Sequence, residues 1–132
     1  MTVGILLITH RPLAADLLRI ASDIFQRRLS DVEALDVVND TPCERLVAES
    51  LDLVDRLDSG AGVLVLTDIY GATPANVALK LCAQRPRVRV IGGVNLPMLL
   101  KALNYASLDL DALAEKALQG GRDGVRACEP QD

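Results

Sequence analysis

Two continuous apolar runs dominate the pattern along the chain, residues 3–9 (VGILLIT) and residues 62–68 (GVLVLTD). Both are short, rich in branched residues and followed by turn signals. A strand with no polar alternation has no solvent face, so each run fits a parallel sheet covered by helices on both sides. Residues 32–38 (VEALDVV) alternate in part and residues 88–92 (VRVIG) are short; both read as further strands. Between the strands, apolar residues recur at helical spacing. Leu13, Leu17, Ile20 and Ile24 form one stripe, with Pro12 where a first-turn proline is tolerated. A second helix opens at Thr41-Pro42, with Thr41 as N-cap and Glu44 three residues on as a capping box, and carries Leu46, Val47, Leu53, Val54 and Leu57. A third opens at Thr73-Pro74, cap then proline, and carries Val77, Ala78, Leu81 and Cys82. A fourth follows Asn95 and Pro97. A fifth runs from Leu108 to Leu118 and ends at Gly120-Gly121. Strand and helix alternate, which predicts a single α/β domain over residues 1–132. The expected architecture is a three-layer, doubly wound, mainly parallel sheet in the order 2-1-3-4, with a candidate last strand near residues 125–128.

In open parallel sheets, ligands bind beyond the carboxyl ends of the strands, where the strand order reverses. With the first and third strands side by side, Thr9-His10-Arg11 and Thr67-Asp68-Ile69 leave the sheet at that point. The only histidine thus sits beside the only acid that ends a buried strand. A carboxylate that accepts a hydrogen bond from one imidazole nitrogen fixes the tautomer and frees the other nitrogen as nucleophile or base. The plain alternative is a helix-start histidine and an acid that caps a turn. The segment Asp68-Ile69-Tyr70-Gly71-Ala72-Thr73-Pro74 adds a tight turn and a helix start, where the amides of Gly71, Ala72 and Thr73 and the helix dipole favour an anion. An ordinary strand-helix turn is the alternative there. Beside a histidine, the anion to expect is phosphate on the ring. Arg11 is either a contact for phosphate or a partner, or a solvated arginine at a helix start. Asn95 is either the cap of the fourth helix or a side chain that closes the site.

Composition narrows the class. The 132 residues are half hydrophobic, with 14 Lys+Arg against 18 Asp+Glu, a net charge of −4. High apolar content with interspersed charges excludes disorder. A nucleic-acid surface is disfavoured, because the chain is mildly acidic and only Phe25, Tyr70 and Tyr105 could stack on bases. Cys43, Cys82 and Cys128 are widely spaced and odd in number, which fits reduced thiols and neither a disulfide framework nor a zinc site. The start MTVGILLITHRP lacks a basic leader and a small-residue cleavage site, and no stretch approaches the ~18 apolar residues of a membrane span. A cytoplasmic protein, not itself embedded in a membrane, is expected. No GxSxG, GxxxxGK[ST] or GxGxxG motif occurs. A flavin site would want aromatics that the chain lacks. A receiver domain would want an acidic pair where Thr9-His10 stands, so no metal and no cofactor is expected.

The start MTVGILLITH, the central VLVLTDIYGATPANVA, the segment VIGGVNLPMLLKAL and the tail helix with GGRDGV resemble the IIA domain of the mannose family of the bacterial phosphoenolpyruvate-dependent sugar phosphotransferase system. The resemblance covers nearly the whole chain, and GVNLPML is its most specific part. It implies a doubly wound fold, often a homodimer, whose last strand runs antiparallel or is exchanged between subunits. It implies that His10 accepts phosphate from the phosphorylated histidine phosphocarrier protein, that Asp68 orients His10, and that Thr73 contacts the phosphate. The phosphate would pass to a downstream IIB component in sugar uptake, or its presence on the protein would serve as a regulatory signal. Two departures stand out. Arg11-Pro12-Leu13 replaces the glycine and the aromatic or small residues common in sugar-transporting members, and Ile69 stands where a second hydroxyl is common. No IIB domain follows before Gln131-Asp132, as expected for a stand-alone regulatory member. Transport and regulation stay open on these residues. So do two other readings, a non-catalytic anion-sensing module and the phosphoryl-carrier subunit of dihydroxyacetone kinase.

Overall fold

The two apolar runs form the middle of the sheet. In a computed structural model that describes residues 1–131, they are β1 (Gly4–His10) and β3 (Val63–Thr67), flanked by β2 (Val32–Val37) and β4 (Val88–Ile91). Asp132, the last residue of the expected domain and of the Gln131-Asp132 end, lies outside the described residues. All three strand pairings are parallel and the order is β2-β1-β3-β4, as the alternation of elements predicts. Five helices connect and cover the strands: α1 (Leu13–Phe25), α2 (Cys43–Leu57), α3 (Thr73–Gln84), α4 (Leu96–Asn104) and α5 (Leu110–Asp123).

The lack of alternation in the central strands follows from this layering. Ile5, Leu7, Leu64 and Leu66 face one core with Leu17, Leu99 and Leu113 of α1, α4 and α5. Leu6, Ile8, Val63 and Val65 face the other with Leu46, Val54, Val77 and Leu81 of α2 and α3. Successive side chains point to opposite faces, and both faces are dry. No helix among the described residues is long and apolar enough to cross a membrane. The three cysteines are free thiols.

Several local expectations need correction. Residues 125–131 form no strand, either antiparallel or parallel. α5 does not stop at Gly120-Gly121 but runs through both to Asp123. The pair is a packing device: a Cβ on Gly121 would lie 2.6 Å from Met98 Cε and 3.2 Å from Met98 Cβ, so a larger residue there would have to displace Met98 where α5 meets α4. The capping box of the second helix is absent. Pro42 keeps an extended ψ of 137°, the helix starts at Cys43, and no side chain caps it. That puts Thr41 one residue too far out to reach the third helical amide. Likewise Thr73 is the first residue of α3 rather than its cap; Ala72 holds the boundary in an extended conformation. On α1 the buried stripe is Ala14, Leu17 and Ala21, whereas Leu13, Ile20 and Ile24 are exposed. The small alanines let α1 lie close to the sheet and turn the larger residues outward.

Candidate functional site

β1 and β3 lie side by side, with Ile8 opposite Thr67, and both release their next residues at the same sheet edge. His10 ends β1 and Asp68 follows β3 directly. The two meet: His10 Nδ1 lies 2.8 Å from Asp68 Oδ2, and the His10 backbone N–H donates to the same oxygen at 3.0 Å. The Ile69 amide donates to Oδ1 at 3.0 Å. Three donors thus hold the carboxylate in one orientation.

The Asp68 side chain is only 11% exposed, whereas that of His10 is 44% exposed. Burial pushes the Asp68 carboxyl up, but the bonds from the His10 amide, the His10 ring and the Ile69 amide outweigh it and hold the group below its ordinary value. Asp68 is therefore ionised near neutrality and can only accept. It follows that Nδ1 carries the ring proton and that the Nε2 lone pair is available. The same lowered pKa has a stability consequence. The carboxylate contributes stability that is fully present above the ordinary carboxylate range and is lost as pH falls through the lowered folded-state value. The stability gap between the native chain and Asp68→Asn, measured by urea denaturation, should accordingly be widest near neutrality and narrow toward acid pH.

The loop after Asp68 turns at Gly71, whose φ of +89° is the left-handed region that favours glycine. The turn brings the chain into α3. Among the described residues, the Gly71 and Thr73 amides have no acceptor and the Thr73 hydroxyl makes no hydrogen bond. Ala72 differs from expectation: its amide donates to the Ile69 carbonyl at 3.3 Å and so belongs to the turn. Arg11 is exposed, beside His10, and has no ion pair among the described residues.

Asn95 has a structural place. Its side-chain oxygen accepts from the Met98 amide at 2.9 Å and its amide group donates to the Gly121 carbonyl at 3.0 Å. Asn95 thus caps α4 and ties it to α5, the first of the two roles its place in the sequence suggests. The β4–α4 loop still borders the site, since Gly93 N donates to the Asp68 carbonyl and Val94 N to that of Thr67, both at 2.9 Å.

Sequence reasoning missed Asp36. It lies near the carboxyl end of β2, opposite Thr9, and its carboxylate accepts from the Ala14 amide at 2.9 Å and the Ala15 amide at 3.3 Å. Thr9 Oγ1 donates to it at 3.4 Å. A side chain from the neighbouring strand therefore caps α1, a task that Pro12 cannot perform, and fixes the turn that carries His10. The usable signal was an acid at the carboxyl end of the strand next to β1. Asp36→Ala should cost about 1–2 kcal/mol of stability, the usual loss for a helix cap, read as a lower urea midpoint at unchanged slope.

Comparison with known proteins identifies the family. The chain is 33% identical over 129 residues to the PTS system mannose-specific EIIAB component of Escherichia coli (strain K12), a match that takes in 96% of this chain and 40% of that protein. The chain therefore spans well under half the length of that relative. It is 29% identical over 82 residues to the PTS system sorbose-specific EIIA component of Lacticaseibacillus casei, covering 60% of this chain and 59% of that one. Among solved structures, the mannose/sorbose specific IIA subunit of the phosphotransferase system from Enterococcus faecalis superposes with a TM-score of 0.89 at 26% identity, covering 100% of this chain and 98% of the other. The family model described as PTS system fructose IIA component matches residues 4–118, which include His10, Asp68 and the loop into α3. The chain belongs to the EIIA-man family of phosphotransferase-system IIA components.

Proposed function

We propose that the chain is a phosphoryl carrier of the phosphotransferase system and that His10 is its acceptor. The observation that carries this reading is the 2.8 Å contact between Asp68 Oδ2 and His10 Nδ1, which leaves Nε2 as the nucleophile. In the forward step the Nε2 lone pair attacks the phosphorus of a donor phosphohistidine in line. The new Nε2–P bond forms as the donor P–N bond breaks, and the donor imidazole leaves with the bonding pair. No proton needs to move, because Nδ1 keeps its own. The ring becomes cationic, and the Asp68 carboxylate offsets that charge. In this reading the free Gly71 and Thr73 amides and the Thr73 hydroxyl receive the phosphoryl oxygens.

The donor in this reading is the phosphorylated histidine phosphocarrier protein and the acceptor a IIB component. Ile69 and Tyr70, 59% and 80% exposed beside the site, supply an apolar surface of the kind that protein partners cover. Ile69, which stands where the resemblance expects a second hydroxyl, cannot donate through its side chain, so in this reading fewer groups restrain the phosphoryl. The protein acts in the cytoplasm, where such donors reside, and forms a homodimer, for which the exposed Leu13, Ile20 and Ile24 on one face of α1 are the supporting feature. Light scattering of the purified chain checks the last point, with twice the 14.2 kDa chain mass expected.

The direct test is incubation with labelled phosphoenolpyruvate, enzyme I and the phosphocarrier protein, with and without IIB acceptors. Alkali-stable, acid-labile label on the chain is expected. An anion-sensing module would bind phosphate and take no label, and that outcome would overturn the reading.

A further inference from the structure

A second concave site lies away from His10, between α4 and α5. This cleft of about 560 Å³ is within the ~300–1,000 Å³ range of small-molecule sites. Its walls carry Lys101 from α4, Lys116 from α5 and Arg126 just beyond α5. Among the described residues neither lysine has a carboxylate partner, although the chain as a whole has an excess of acids. Both ammonium groups instead stand over one ring, Lys101 Nζ at 5.6 Å and Lys116 Nζ at 4.5 Å from the Tyr105 centroid. Two like charges held near one ring repel each other, and an anion that reaches both relieves that repulsion. Arg126 spends only its Nε, donated to the Asp123 carbonyl at 2.8 Å, which leaves its terminal NH2 groups for a planar or tetrahedral oxyanion.

A cleft of similar size, about 580 Å³ and lined by Arg87 and Arg89, differs in its charge: Arg87 is paired with Asp58 at 3.1 Å and Arg89 with Asp111 at 2.9 Å. Among the described residues, Lys101, Lys116 and Arg126 of the α4–α5 cleft form no such ion pair. Its floor is also built to shape: a Cβ on Gly120 would lie 2.9 Å from Lys101 Cβ and Cγ, and one on Gly124 would lie 2.5 Å from Pro97 Cγ. The glycines of the tail motif, which the phosphoryl chemistry does not use, let the lysine stem lie flat along the cleft. Gln119 and Asp123 complete the lining. Asp123, the one carboxylate there, would repel a bare anion at close range, but it accepts hydrogen bonds from hydroxyl groups.

We propose that the cleft between α4 and α5 binds a hydroxylated phosphate monoester, with Lys101, Lys116 and Arg126 on the phosphate and Gln119 and Asp123 on the hydroxyls. The site is separate from the His10 chemistry and does not depend on it. Titration of the isotope-labelled full chain with glucose 6-phosphate and with glycerol 3-phosphate, followed by amide NMR, tests it. Saturable shifts at Gly120 and Gly124 are expected for at least one ester, with inorganic phosphate weaker by about tenfold and free glucose silent. Lys101→Gln and Lys116→Gln should each weaken the ester by about tenfold, the loss of one charge-assisted contact. Failure of both esters to saturate, shifts at Gly71 and Thr73 in place of the cleft, or unchanged affinity in both lysine variants overturns the proposal. Equal affinity for inorganic phosphate overturns the role given to Gln119 and Asp123.

Discussion

Replacement of His10 by alanine is expected to remove phosphoryl acceptance completely. His10 is the only histidine in the chain, so no second imidazole can substitute. Asp68, the neighbouring group that could imitate an acceptor, is tied by the His10 and Ile69 amides, which persist in the variant, and sits only 11% exposed. The variant should fold normally, because the ring is 44% exposed and its loss empties no core. Transfer of labelled phosphate from the phosphocarrier protein, assayed beside circular dichroism, measures both properties. Label at the native level on a folded His10→Ala chain would mean that the acceptor lies elsewhere.

Asp68→Asn is the second large effect, a fall of about 10²-fold in transfer rate, or roughly 3 kcal/mol of barrier at ~1.4 kcal/mol per decade. Asparagine keeps the volume and one acceptor oxygen, so the backbone bonds survive in part. Two things change. A neutral amide accepts the Nδ1–H more weakly and its own N–H₂ can face the ring, which favours the tautomer with the proton on Nε2, the wrong atom. The cationic phosphorylated ring also loses its counter-charge. In hydrolase triads, removal of the carboxylate that fixes a histidine costs about 10⁴. The smaller figure here reflects a step in which the imidazole attacks directly and moves no proton. Single-turnover transfer from the phosphorylated donor reads the rate, and the extent of phosphorylation at equilibrium should fall with it. A merely structural role for Asp68 would lower stability and leave the rate of the folded fraction intact.

Much of the site was legible because strand ends are simple to locate. A buried parallel strand is an unbroken apolar run, and its last residue is where the first polar side chain appears. His10 and Asp68 were placed together on that ground. The errors fall where local signals have two meanings. Gly120-Gly121 reads as a helix stop, since glycine favours chain reversal. The same residue type also allows two helices to touch, and only the position of Met98 and Lys101 on α4 decides between these uses. Thr41 and Thr73 carry the right residue before a proline, yet each misses the cap position by one residue because Pro42 and Ala72 hold extended conformations. Asp36 was hard to read for the opposite reason: it caps α1 through Ala14, 22 residues away in sequence, and only its place at the carboxyl end of the strand next to β1 points to it. Asn95 shows the reverse case, a cap legible from its neighbours, with the tie to Gly121 as the part that needed the fold.

In the proposed carrier, Asp68 reserves Nδ1 and leaves Nε2 to carry the phosphoryl group. Nitrogen-15 and phosphorus-31 NMR of the phosphorylated, histidine-labelled chain distinguishes the two isomers directly, since phosphorus couples to the ring nitrogen that bears it and His10 is the sole histidine signal. One phosphohistidine is expected, bonded at Nε2, with Nδ1 still protonated. Phosphorus bonded to Nδ1, the atom 2.8 Å from the Asp68 carboxylate, would contradict it.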